Sequence, residues 1–279
     1  RRGFGTTAFV PHNVPMVILG AGILWFGWFG FNAGSALTSG DLAANTFVVT
    51  QLGAAAAVFG WLVPEWMKHG RATTIGAATG AVAGLVAITP ASGYVGFWGA
   101  LVIGFAAGFV CFWAVNLKTR LRYDDSLDVV GVHLVGGVVG ALLTGVFASL
   151  AINPAGADGG LIQVGKQAMA VVVTASYSFG LTLGILKLVD AVVGVRVTED
   201  EEVAGLDLSQ HSEVGYTLNE RGATVVHGER DMSEDIVVVV RRELDAWIQS
   251  REAGARPTAR TNGDRGAKEE SGTSATAAL

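Results

Sequence analysis

The chain has 279 residues, of which 51% are apolar and 15% charged, with a mean hydropathy of +0.46 and a formal net charge of −5. Soluble domains carry about one charged residue in four, so this balance excludes an ordinary globular fold in water and indicates a membrane protein. A nucleic-acid-binding role is excluded too, because phosphate recognition needs a basic patch and the one long polar segment, at the C-terminal end, is acidic.

In chain order, charge-free stretches occupy residues 14–36, 42–64, 72–90, 93–117, 129–152 and 167–186. Each exceeds the ~18 residues that identify a spanning helix. Six spans and an all-α, polytopic transmembrane bundle are predicted. Residues 72–117 hold no Asp, Glu, Lys or Arg, too many for one crossing, and Pro90, Ser92 and Gly93 punctuate that run into two helices.

If six spans alternate, Arg1, Arg2, Lys68, Arg71, Lys118, Arg120, Arg122 and Arg196 share one side and Lys166 lies near the other. That asymmetry predicts cytoplasmic N- and C-termini. Residues 1–195, the predicted transmembrane domain, carry 9 basic and 7 acidic groups, and residues 196–279, the predicted cytoplasmic tail, carry 10 and 17. The chain opens at Arg1 without a signal-peptide layout, so a preceding segment is expected. Gly76, Gly80 and Gly84 repeat every four residues, as do Gly104 and Gly108, and Gly136 and Gly140. Small residues at that spacing let helix backbones approach closely in lipid. The single Cys111 lies within a span, where packing is its expected role.

Chemistry is carried by the first and fifth spans. Leu24, Trp28, Phe31 and Ser35 are spaced four, three and four apart, which places them on one stripe of a helix. In the predicted orientation Phe31 and Ser35 approach the external mouth. An aromatic face attracts a desolvating cation and a hydroxyl accepts a hydrogen bond from an ammonium-type donor, but the spacing alone equally suits an interfacial aromatic belt. The fifth span opens with Asp124, Asp125, Ser126 and Asp128, suited to capping a helix N-terminus, and His133 follows within a charge-free stretch. A buried neutral imidazole donates at one nitrogen and accepts at the other, so it can line a polar path without a fixed charge or bond a neighbouring helix.

These residues carry a resemblance. The run Pro11, His12, Asn13, Val14, Pro15, Met16, the run Gly27, Trp28, Phe29, Gly30, Phe31, Asn32, Ala33, Gly34, Ser35, and the run Asp124, Asp125, Ser126, Leu127, Asp128, Val129, Val130, Gly131, Val132, His133 resemble signature segments of the ammonium transporter (Amt/Rh) family. Gly205, Leu206 and Asp207, with His211, Glu213 and Tyr216, are similar to that family's tail motif. The resemblance implies a homotrimer of eleven-helix subunits built on two inverted five-helix repeats, with the six spans here forming the second repeat and the last helix. It implies an external ammonium-binding site at Trp28 and Ser35, a gate at Phe31, an apolar pore wall at Leu24 and Val129, and a pore histidine at His133. Asn32 and Asp128 fall beside the pore in structural roles.

The family picture is recruitment of ammonium as a cation, its deprotonation, and passage largely as ammonia. The first repeat would supply the other pore histidine, a second gate phenylalanine, an outer tryptophan and a buried carboxylate. Leu134 and Ser212 stand where the family usually has glycine. The resemblance also implies a plasma or bacterial inner membrane location, contact with membrane lipid, and a PII-type signalling protein as a partner at the cytoplasmic face. In the tail, residues 232–249 suit a short helix or a strand, and residues from about 251 read as disordered. Transmembrane ammonium/ammonia transport is the expected function. An ammonium sensor signalling through its tail and a truncated, non-transporting subunit are the alternatives. No cofactor or metal is expected, and no nucleophile, base and orienting group recur at a spacing that suggests an enzyme.

Overall fold

A computed structural model describes residues 11–213. Tyr216, the expected element at 232–249 and the segment beyond 251 lie outside the described residues. Within them the fold is helical and without strands: α1 (Val14–Gly34), α2 (Asp41–His69), α3 (Thr74–Ile88), α4 (Phe97–Leu121), α5 (Val135–Phe147), entered through a π-helical turn (Val129–Leu134), and α6 (Leu161–Val192). Two short helices, α7 (Glu199–Ala204) and α8 (Leu206–His211), follow.

The helix ends have local causes. Asn13 caps α1, its Oδ1 accepting from the Met16 backbone N–H at 3.0 Å, and Pro15 sits in the first turn, where a missing N–H costs nothing. Helix α2 runs through Pro64 to His69 and stops at Gly70, whose positive φ of 72° is the left-handed conformation that glycine adopts freely. Thr73 caps α3, its hydroxyl oxygen accepting from the Gly76 N–H at 2.8 Å. The buried Glu65 carboxylate accepts in turn from the Thr73 N–H (3.1 Å) and hydroxyl (2.8 Å), which locks the α2–α3 connection.

Five of the apolar helices are long enough to cross a bilayer, and the third of the six expected spans is the shorter α3, of 15 residues. It ends early because Thr89 to Tyr94 form a compact turn held by bonds from the Ala91 and Ser92 N–H groups to the Ile88 carbonyl.

Helices α2, α3 and α4 form the centre. Val49, Ile88, Val95 and Ile103 make one buried cluster, and Trp61, Ala83, Cys111, Phe112 and Val132 a second, with the Trp61 and Phe112 rings edge to face at 5.7 Å. Gly104 and Gly108 on α4 lie against the carbonyl oxygens of Gly53 and Ala57 on α2, and Gly140 on α5 lies against that of Ala87 on α3. A methyl group at any of the three would collide with backbone, so the four-residue glycine repeat is the condition for these crossings. Around this centre, α1 packs on α2 and α3, and α6 packs on α5 with none of its residues buried.

Thr198 opens α7 with a reciprocal cap: its backbone N–H and its hydroxyl both donate to the Glu201 carboxylate at 2.8 Å. The Thr198 backbone N–H first, and its hydroxyl second, hold Glu201 below its ordinary pKa of 4.5.

Candidate functional site

The α1 stripe divides by neighbour. Leu24 and Phe31 are 44% and 62% exposed, so this edge of α1 is open in the described chain, and Ser35 at the helix end is exposed as well. The Phe31 ring meets the Trp28 ring edge to face at 5.5 Å. The Ser35 hydroxyl donates to the Phe31 carbonyl at 2.8 Å, which commits its single proton and leaves the oxygen able to accept. Trp28, Phe31 and Ser35 therefore come together as one aromatic and acceptor-bearing edge.

Beneath that edge lies a buried polar layer. The Trp28 indole N–H donates to the Thr89 hydroxyl oxygen at 2.7 Å, and the Thr89 hydroxyl donates to the Leu85 carbonyl at 2.7 Å. Asn32, 5% exposed, donates through Nδ2 to the Thr50 hydroxyl at 3.0 Å, and Thr50 donates to the Thr46 carbonyl. Thr46 in turn donates to the Ser92 carbonyl at 3.2 Å, and Asn45 to the Val95 carbonyl at 3.1 Å. Asn32 thus anchors α1 to α2.

The second group of residues stands on the π-helical turn. Asp125 is the cap expected of the acidic cluster: its carboxylate accepts from the Val129 N–H at 2.9 Å and the Val130 N–H at 2.8 Å. Asp128 is in the left-handed conformation (φ 57°) and pairs with Lys118 of α4, whose ammonium also donates to the Asp125 carbonyl at 3.0 Å. Gly131 lies against Val115 of α4, where a Cβ would strike the Val115 side chain and backbone. With its base fixed this way, the turn presents Val129, which is 53% exposed, and an exposed His133. Single π turns inside helices frequently mark functional sites.

The structure does not bring the two groups into contact. Helix α1 and the His133 turn both pack on α3, and among the described residues they do not touch one another. Sequence reasoning missed Thr89 and Thr50, whose bonds to α1 span 61 and 18 positions, and it missed the π turn.

Long apolar helices crossing at glycine-to-carbonyl contacts, with their buried polar side chains hydrogen-bonded inside the bundle, define a multi-pass helical membrane protein. The profile of the Ammonium Transporter Family matches residues 1–216, and the chain belongs to that family. An ammonium transporter of Mycobacterium tuberculosis (strain ATCC 25618 / H37Rv) is 49% identical over 226 residues, covering 77% of this chain and 47% of that protein. The crystal structure of Saccharomyces cerevisiae Mep2 aligns with a TM-score of 0.63 at 39% identity, over 66% of this chain and 46% of that one. A solved sensor Amt protein aligns with a TM-score of 0.68 at 35% identity, over 74% of this chain and 51% of that one. The chain spans about half the length of the curated relatives it matches.

Proposed function

We propose that this chain forms part of a transmembrane path for ammonium and ammonia. Ammonium is recruited at the Trp28, Phe31 and Ser35 edge, gives up a proton, and passes as ammonia along an apolar wall that includes Leu24 and Val129 towards His133. The observation that carries the reading is the pairing of an edge-to-face Trp28–Phe31 couple with a Ser35 oxygen whose proton is already committed. Such an edge offers a cation two π faces and one acceptor. Deprotonation fits the setting, because a bare ion in hydrocarbon is costly whereas ammonia is small and neutral.

Lys68, Arg71, Lys118, Arg120, Arg122 and Arg196 follow or flank the helix ends opposite the Trp28 layer, which supports a cytoplasmic assignment for that end. With it go a transmembrane domain over residues 1–195, a cytoplasmic tail from 196 and residence in a plasma or bacterial inner membrane. A homotrimer, and a PII-type partner at the cytoplasmic face, belong to the same reading.

The test is ammonium-evoked current on a solid-supported membrane. Proteoliposomes would hold the protein made from its complete open reading frame beside others holding the 279-residue chain. Current from the complete product supports transport. The likeness to a sensor Amt protein favours ammonium sensing as the second reading. Saturable ammonium binding without any current would support it and sink the first.

A further inference from the structure

We infer that Thr89, at the C-terminal cap of α3, is a positioning residue for ammonium recognition, acting through Trp28; the inference rests on the reading of Trp28 as part of the recruitment edge. A hydroxyl has one proton, and that of Thr89 is committed to the Leu85 carbonyl at 2.7 Å. Its oxygen can then only accept from the Trp28 indole, so the chain Trp28 N–H to Thr89 to Leu85 runs in one direction.

That direction has two effects on the indole. The bond fixes one rotamer of Trp28, with Phe31 against the ring at 5.5 Å, so the face offered to a cation is set before the cation arrives. Bonds in such a chain also polarise one another. Donation from the indole nitrogen shifts electron density into the ring, and a cation is drawn to that negative face of the quadrupole.

Thr89 is itself well held. It ends α3, its N–H reaches the Leu85 carbonyl at 3.3 Å, and the Ser92 hydroxyl donates to its carbonyl at 3.3 Å. Attachment of α1 does not depend on it, because Asn32 ties α1 to Thr50 independently. Thr89 therefore tunes the ring and is not needed to dock the helix.

The experiment measures ammonium-evoked current against ammonium concentration for Thr89→Val, Thr89→Ser and Trp28→Leu in the protein made from its complete open reading frame. Thr89→Val keeps the shape and removes the acceptor. It is expected to raise the half-saturating concentration by up to roughly 10-fold with the maximal current nearly unchanged, the ceiling being a neutral hydrogen bond whose whole worth depends on the bound cation. Thr89→Ser is expected to restore the parental value. If the valine variant does not reach the membrane, Thr89→Ala takes its place with the same expectation. An unshifted half-saturation in Thr89→Val, or an equal defect in Thr89→Ser, overturns the role of Thr89. If Trp28→Leu leaves recruitment intact, the recruitment edge itself is wrong. A shifted Trp28→Leu beside an unshifted Thr89→Val rejects Thr89 alone.

Discussion

Lys118, in the last turn of α4, forms an ion pair with Asp128, the residue that opens the turn bearing His133. The pair is about three-quarters buried and spans only 10 positions, yet it joins two successive membrane helices at one end of the bundle. Lys118→Met would leave Asp128 uncompensated and release the Asp125 carbonyl. Loss of roughly 1 to 3 kcal/mol is expected, above the exposed-pair range and below that of a fully buried pair. Reversible unfolding in mixed micelles measures it, and an unchanged midpoint would remove the pair from the account of this turn.

Asp125 satisfies two of the N–H groups that begin the π turn. Asp125→Ala is expected to cost about 1 to 2 kcal/mol, as loss of a helix cap does, and to fray Val129 and Val130 first. Hydrogen exchange at these two amides should accelerate before that of α5. Uniform acceleration along α5 would contradict a local cap.

Trp28→Leu removes both the π face and the bond to Thr89. A cation over an aromatic face is worth ~0.5 to 2 kcal/mol, which corresponds to a rise of roughly 2- to 30-fold in half-saturating ammonium. His133→Ala is expected instead to change the charge moved per ammonium while leaving half-saturation close to the parental value. Parallel tracer uptake and current recordings separate the two, and identical phenotypes would refute the division of labour between them.

At Gly104 a methyl would strike the Gly53 carbonyl, whereas at Gly20 on α1 it meets nothing within 4 Å. Gly104→Ala is expected to destabilise the bundle by at least 1 to 3 kcal/mol. Gly20→Ala should be neutral or stabilising by up to about 1 kcal/mol through helix propensity. Unfolding of the two variants side by side decides it.

The Glu201 carboxylate is held below its ordinary pKa by its bonds from Thr198. The folded form thus binds the proton less readily than the unfolded form. The cap's contribution is complete above the ordinary value and disappears as pH falls through the lowered one. Thr198→Ala removes the hydroxyl donor and keeps the backbone N–H, so the Glu201 titration, read from its carboxyl carbon shift, should rise only part of the way to the ordinary range.

Legibility from sequence followed the range of the interaction. The charge-free stretches located the membrane helices because desolvating a charge is expensive at every point along a span, but they did not set every end: α6 runs from Leu161 to Val192, past Lys166, Lys187 and Asp190. The rule misplaced the end of α2 as well. The helix passes Glu65 and continues to His69, because that buried carboxylate is satisfied by Thr73, eight positions on. The stripe of Leu24, Trp28, Phe31 and Ser35 was legible as helical periodicity. Its support was not: Thr89 lies 61 positions from Trp28, and nothing in the local pattern links them. The π turn was equally silent, since it depends on Gly131 meeting Val115 and on the Lys118 pair.

The shortness of α3 sets the depth at which water must be handled. Its 15 residues rise about 22 Å against a hydrocarbon core of ~30 Å. With Thr74 at one edge of that core, the chain leaves helical geometry while still at lipid depth, where bare peptide groups are not tolerated. Ala91, Ser92 and Val95 are nonetheless buried, and Thr46 and Asn45 of α2 occupy the Ser92 and Val95 carbonyls. The neighbouring helix thus covers the turn and satisfies its carbonyls. The shortness of α3 is made good inside the protein, where the carbonyls that follow it are bonded by α2 and not left to the lipid.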